Sequence, residues 1–143
     1  MPARLQEQDS EQIHRAAKVY PMRLPDSGAA EKKAPYIIHQ VILGKDTQAQ
    51  GQRPAAQVTV RSIFNVYNEN ESEGGLMLLN LMERLRIFLL KRVVIGDRYQ
   101  LDLESGLDIL IYPEDTSPYY SGEMASVWML PPIEREVNII WQQ

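Results

Sequence analysis

Between Gln57 and Arg135 the apolar residues change period twice, from alternation to a three-and-four spacing and back to alternation. A chain that reads strand, acidic turn, long apolar helix and short strands has one economical solution, a sheet with the helix laid across one face. Val58, Val60, Phe64 and Val66 alternate onto one side of the first strand; Thr59, Arg61, Asn65 and Tyr67 take the other, with Ile63 among them. Asn68 to Glu73 is an acidic turn in which Ser72 is the expected N-cap and the acids favour the positive end of a helix dipole. The spacing then predicts a helix over Glu73–Val93, with Leu78, Leu81, Met82, Leu85, Phe88 and Leu89 as its buried stripe and Leu79, Ile87 and Leu90 on the flanks. Lys91 and Arg92 offset the dipole at its far end, and Gly96-Asp97 ends the element. Strands are expected at Tyr99–Leu103, Leu107–Tyr112 and Ser121–Leu130, the first two joined by a turn at Ser105-Gly106. Pro131-Pro132 stops the ladder, and Ile133–Trp141 reads as one further edge strand.

Upstream of this unit, Tyr36–Leu43 is rich in β-branched and aromatic residues and reads as a strand. Its Ile37-Ile38 and Val41-Ile42-Leu43 put apolar side chains on both faces, the pattern of a strand covered on both sides once assembled. Gly44–Ala56 reads as a long polar loop across which this strand pairs antiparallel with the next. Residues 1–34 form a lead in which Ile13, Ala16, Ala17 and Tyr20 make a short helical stripe ended by Pro21. The expected fold is therefore α+β: a mostly antiparallel sheet of about four to six strands packed against one long helix, with a short N-terminal helix. Residues 35–143 form a single domain, a size ordinary for one hydrophobic core.

Residue types that could carry chemistry cluster at several places. The chain has no cysteine, which removes disulfides, zinc–thiolate centres and thiol catalysis. Its formal charge of −4 is opposite to the basic excess of a protein that grips phosphates. Met1–Ser10 has no apolar signal region and no run approaches a membrane span, so the expected site of synthesis and folding is the cytoplasm, with no membrane role. His14 and His39 stand apart from each other and from any spaced carboxylates. Asp102, Glu104 and Asp108 crowd a turn but lack the glycine-punctuated calcium loop, and read as solvated turn charges. Gly74-Gly75 lacks the Gly-Lys-Ser/Thr ending of a phosphate cradle and sits beside Glu71 and Glu73, so it reads as a flexible start to the helix. No catalytic, cofactor-binding or metal residue is assigned. Pro118-Tyr119-Tyr120 has the composition of an interface, because tyrosines supply contact area at small entropic cost.

Several phrases carry a family likeness. Met22-Arg23-Leu24-Pro25-Asp26, Ala34-Pro35-Tyr36-Ile37-Ile38, the strand Val58–Tyr67 with its acidic exit, Leu81-Met82-Glu83-Arg84-Leu85-Arg86 and Gly122-Glu123-Met124 through Trp128-Met129-Leu130-Pro131-Pro132-Ile133-Glu134-Arg135-Glu136 resemble small tail-region proteins of phages and prophages of Gram-positive bacteria. The resemblance spans residues 19–137 and points to tail terminators, also called tail-completion proteins. It implies a non-enzymatic virion protein that forms a ring, typically a hexamer, caps the tail tube at its head-proximal end, stops tube polymerisation and meets the head connector. The implied partners are further copies of the chain, the tail tube protein and the connector or neck protein, with DNA only as passing cargo; the implied location is the tail or neck of the particle. The lead before Val19 has no counterpart in the resemblance. Candidate subunit-contact residues are Arg53, Arg61, Glu69, Glu71, Glu73, Tyr119 and Tyr120, with the arginines facing an acidic strip at Glu69–Glu73 of a neighbour. The competing readings are another head–tail connector or neck protein, the equivalent part of a phage-tail-like particle, a small enzyme using scattered carboxylates, and a soluble adaptor binding a host protein through its tyrosines.

Overall fold

A computed structural model describes residues 17–24, 34–113, 116–134 and 136. The main element is the strand β3 (Ala55–Tyr67), which enters the helix α1 (Glu71–Arg92) through a tight acidic turn. Before it come β1 (Lys18–Pro21) and β2 (Tyr36–Thr47); after α1 come β4 (Val94–Ile95), β5 (Tyr99–Leu101), β6 (Leu107–Ile111) and β7 (Tyr119–Leu130). They make one mixed sheet in the order β1-β2-β3-β7-β5-β4, with β6 also on β7. The β1–β2 pair is parallel and the other pairs are antiparallel.

The alternation expected in β3 holds. Phe64 and Val66 are fully buried, and Val58 and Val60 lean against the same core. Met124 and Trp128 of β7 lie beside them in register, Met124 opposite Ser62 and Trp128 opposite Val58. Across this face α1 presents Leu78, Met82 and Leu89 as buried residues, with Leu81 and Leu85 half-buried. The stripe is narrower than its spacing implies: Phe88 is 46% exposed, and its ring lies under the Arg92 guanidinium at 5.2 Å instead of in the core.

The helix ends also differ from expectation. The N-cap is Asn70, whose side chain accepts hydrogen bonds from the Ser72 N–H at 3.1 Å and the Ser72 hydroxyl at 2.7 Å. Asparagine reaches the first free N–H groups as well as serine does, so the cap falls two residues earlier. The helix stops at Val93, held at φ 59° while its N–H bonds the Leu89 carbonyl at 2.8 Å. A β-branched residue takes positive φ only where packing enforces it; Val93 packs against the core and its carbonyl accepts from the Leu101 N–H at 2.7 Å. Gly96 and Asp97, at φ 61° and 57°, open the three-residue hairpin loop 96–98 between β4 and β5, in which the Arg98 N–H bonds the Ile95 carbonyl at 3.3 Å.

Three further expectations are corrected. Tyr20 belongs to strand β1, not to a helix, because Lys18–Pro21 can pair with the buried start of β2; Ile13 and Ala16 lie outside the described residues. Gly44–Ala56 is not a loop throughout: Gly44–Thr47 pair with Ala55–Val58, so β2 and β3 run out together as a two-stranded arm closed by a short turn. The sheet has seven strands among the described residues. β7 does end at Pro131-Pro132, and Ile133 and Glu134 are not strand; most of the expected edge strand Ile133–Trp141 lies outside the described residues.

The helix and β7 come closest where neither can carry a Cβ. A Cβ on Gly74 would sit 2.0 Å from the Tyr120 ring, and one on Gly122 would sit 2.9 Å from the Leu110 carbonyl and 3.0 Å from the Met82 sulfur. Gly74-Gly75 is thus no mere flexible start: Gly74 is the seat of Tyr120. Alanine at an ordinary helix position stabilises by up to about 1 kcal/mol over glycine. Gly74→Ala is expected to do the opposite, costing about 1–3 kcal/mol through overpacking against Tyr120, as measured by urea unfolding; Gly75→Ala, whose Cβ meets nothing within 4 Å, is the control and should not destabilise.

Candidate subunit interface

The seven candidate contact residues divide among three places. Glu69, Glu71, Glu73, Tyr119 and Tyr120 gather at one end of the sheet, tied by the Asn68 N–H bonding the Pro118 carbonyl at 2.9 Å. There Glu69 accepts the Tyr67 hydroxyl at 2.8 Å, and the Tyr67 and Tyr119 rings meet edge to face at 5.3 Å. Glu71 and Glu73 lie exposed in the first turn of α1. Tyr120 is turned inward over Gly74 and belongs to the core rim. Arg53 is exposed beside the arm turn, at the opposite end of β3. Thirteen residues of strand separate the two ends by about 40 Å at roughly 3.3 Å per residue.

Arg61 is in neither place. It lies mid-sheet on the face away from α1, where it pairs with Glu123 of its own chain. The Tyr112 hydroxyl completes the cluster, accepting from Arg61 Nη2 at 3.1 Å and donating to Glu123 Oε2 at 3.2 Å. The hydrogen bond to Glu123 first, and then that to Tyr112, hold the guanidinium above its usual pKa. The expected pairing of Arg61 with Glu69–Glu73 across a junction is therefore replaced by an internal one. The cause is the β3–β7 register, which sets Ile63 opposite Glu123 and so brings Glu123 diagonally beside Arg61.

Asp102 and His39 are each engaged within the fold. Asp102 accepts from the Ser105 hydroxyl at 2.7 Å and from the Glu104 N–H at 3.1 Å, which closes the turn before β6 and lowers its pKa, chiefly through Ser105. No group of three or more potential metal ligands occurs among the described residues. His39 bonds Ser62 through Nδ1 at 2.8 Å on the core side, and burial pushes its pKa below the ordinary 6.5. No helix among the described residues is long and apolar enough to cross a membrane.

What the sequence reading passed over is the pair of outer sheet edges. β1 covers β2 only from Tyr36 to His39. Beyond it Val41, Ile42 and Leu43 are 52%, 55% and 59% exposed. At the far side β6 carries Ile109, Leu110 and Ile111, 43%, 53% and 38% exposed. No strand among the described residues pairs with either outer edge. Between the arm and the β4–β5 hairpin an apolar groove of about 380 Å³ is lined by Val41, Val58, Val60, Ile95, Tyr99, Trp128 and Leu130. The legible signal is the apolar run on both faces of Tyr36–Leu43; Tyr36, Ile37 and Ile38 are buried, and Val41, Ile42 and Leu43 are exposed. No family model matches the chain, and no curated protein matches it.

Two outcomes follow. Arg61→Glu should destabilise the isolated subunit by about 1–2 kcal/mol, because it places like charge against Glu123 and removes the donor to the Tyr112 hydroxyl; Arg53→Glu should leave the melting curve unchanged. For His39 the folded pKa is lowered, so the unfolded chain binds the proton more readily. Stability should therefore be constant well above pH 6.5 and decline as pH falls through that value. Urea titrations across pH 5.5–8 on the parent and on His39→Gln check this: the substitution should flatten the part of the profile near pH 6.5. The Asp102 contribution is lost in a separate window, below its ordinary 3.8.

Proposed function

We propose that this chain is a non-enzymatic phage or prophage structural protein, a ring-forming tail terminator. In this reading copies close head to tail around the end of the tail tube, stop tube growth and present a surface to the head connector, while DNA passes through without being held. One observation carries it: the sheet has two unlike outer edges on opposite sides, each with a run of exposed apolar residues. Two different complementary surfaces on one subunit are what heterologous, ring-closing association needs, whereas a two-fold dimer uses the same patch twice. The phrase-level resemblance along residues 19–137 and the strand, helix, strand order support the same reading. So does the engagement of Asp102 in a turn, since a carboxylate fixed by its own loop is poorly placed for general acid–base work.

In this reading the chain sits in the neck of the particle, assembled from subunits made in the host cytoplasm, with the tail tube protein and the connector as neighbours. A formal charge of −4 suits a lumen through which a polyanion slides, because repulsion prevents tight phosphate contacts. Sedimentation of the purified chain and imaging of particles that contain it provide the test. The expected result is a closed ring, six copies in the typical case, at one end of the tail tube; a single copy in the finished particle would eliminate the terminator role.

A further inference from the structure

We propose that neighbouring copies continue one another's sheet, with the outer edge of β2 on the arm hydrogen-bonded antiparallel to the outer edge of β6 of the next copy. The inference rests on the ring reading above and says how the ring is sealed. Strand direction is the first argument. β2 is antiparallel to β3, β3 to β7 and β7 to β6, so β2 and β6 run oppositely within one subunit. Rotation about an axis along the strands preserves direction. A copy generated that way brings its β2 beside β6 already antiparallel, with no subunit inverted.

The pleat fixes which backbone groups face outward. Tyr112 N–H bonds the Ser121 carbonyl of β7 at 3.0 Å. By alternation Leu110 and Asp108 also point to β7, and Leu107 and Ile109 point their N–H and C=O groups away from it. On β3, Asn68 N–H bonds the carbonyl of Pro118, so even-numbered residues face β7 and odd-numbered ones face β2. Leu43, Lys45 and Thr47 stand opposite Thr59, Gln57 and Ala55 and are thereby used. Gly44 and Asp46 remain, aimed outward.

Setting Gly44 opposite Ile109 and Asp46 opposite Leu107 joins outward groups to outward groups. The same register brings Lys45 opposite Asp108 and Leu43 opposite Leu110. These four side chains share the sheet face away from α1, as the pairings of β2 with β3 and of β6 with β7 require. Leu43 is there only because the register shifts between Val41 and Leu43; without that bulge Leu43 and Lys45 would point to the other face and the match would fail. The contact thus joins an exposed cation to an exposed anion and one exposed leucine to another, in close-spaced pairs.

The absence of cysteine makes a cross-link test clean. Lys45→Cys combined with Asp108→Cys, in the full chain, should give a ladder of disulfide-linked multimers on oxidation, because such cross-strand pairs lie within disulfide range. Either substitution alone should give none, and a mixture of the two single variants should give a linked dimer. Lys45→Asp or Asp108→Lys alone should weaken association about tenfold, and combining them should restore it. In the free subunit, Leu43 and Lys45 amides should already resist hydrogen exchange by NMR, whereas those of Gly44 and Asp46 gain protection only on assembly. A parent ring on sedimentation with no cross-linked ladder from the double variant would overturn the edge pairing and leave the ring standing. Disulfide dimers from Lys45→Cys alone would overturn it in favour of a two-fold β2 contact. A parent chain that stays monomeric in the finished particle would remove both the ring and the edge pairing.

Discussion

The structure depends on how closely α1 approaches β7. Gly74 sits beneath the Tyr120 ring, and Gly122 lies beneath Met82 with the β6 backbone at its side. Each contact is possible because one partner has no side chain. Together they pin the first half of the helix to the strand that pairs with β3, β5 and β6. Leu78 and Met82 then fall over Phe64, Val66 and Met124, and a single close-packed layer forms the main core. The second half of α1 is held by Leu89 and leaves Phe88 to solvent, so the helix covers the middle of the sheet and not its edges.

That placement explains the unusual surface. A sheet wider than the helix that covers it must expose apolar residues at its margins or be covered by something else. On the face away from α1, Ala34, Tyr36 and Ile38 form a second cluster with Tyr20, Leu24 and Ile63, so the beginning of β2 is buried from both sides. Past the end of β1 that cover stops and Val41–Leu43 emerge. Isolated proteins blunt such edges with charge, proline or a bulge. Here the bulge does not blunt the edge; it redirects Leu43 and Lys45 onto the face where Leu110 and Asp108 stand. In the proposed ring, pairing with a neighbouring copy would offset the cost of that exposed edge.

Charged groups serve different ends according to burial. Arg61, Glu123 and Tyr112 satisfy one another on the sheet face and help fix the β3–β7 register. Glu71 and Glu73 complement the helix dipole, and Asp102 closes a turn. Among the described residues Asp102 closes a turn, His39 bonds Ser62 and Arg61 pairs internally, while the exposed runs Val41–Leu43 and Ile109–Ile111 are apolar.

The sequence by itself determined the elements whose pattern is local. Alternation set β3 and β7, three-and-four spacing set α1, and Pro131-Pro132 set the end of the last strand, because the period of burial is a property of the chain's own geometry. Gly96-Asp97 is a hairpin-turn signal as well as a helix stop. The tertiary structure alone decided what depends on a partner far along the chain. It placed Lys18–Pro21 as a parallel strand, turned Gly44–Thr47 into half of an arm, sent Arg61 to Glu123 and laid Tyr120 over Gly74. Periodicity reports that a face is covered but not by which residue, and a one-residue change of register moves every side chain to the opposite face. The two outer edges show that same limit: the apolar residues are visible in the sequence, but only the strand order reveals that no strand among the described residues pairs with them.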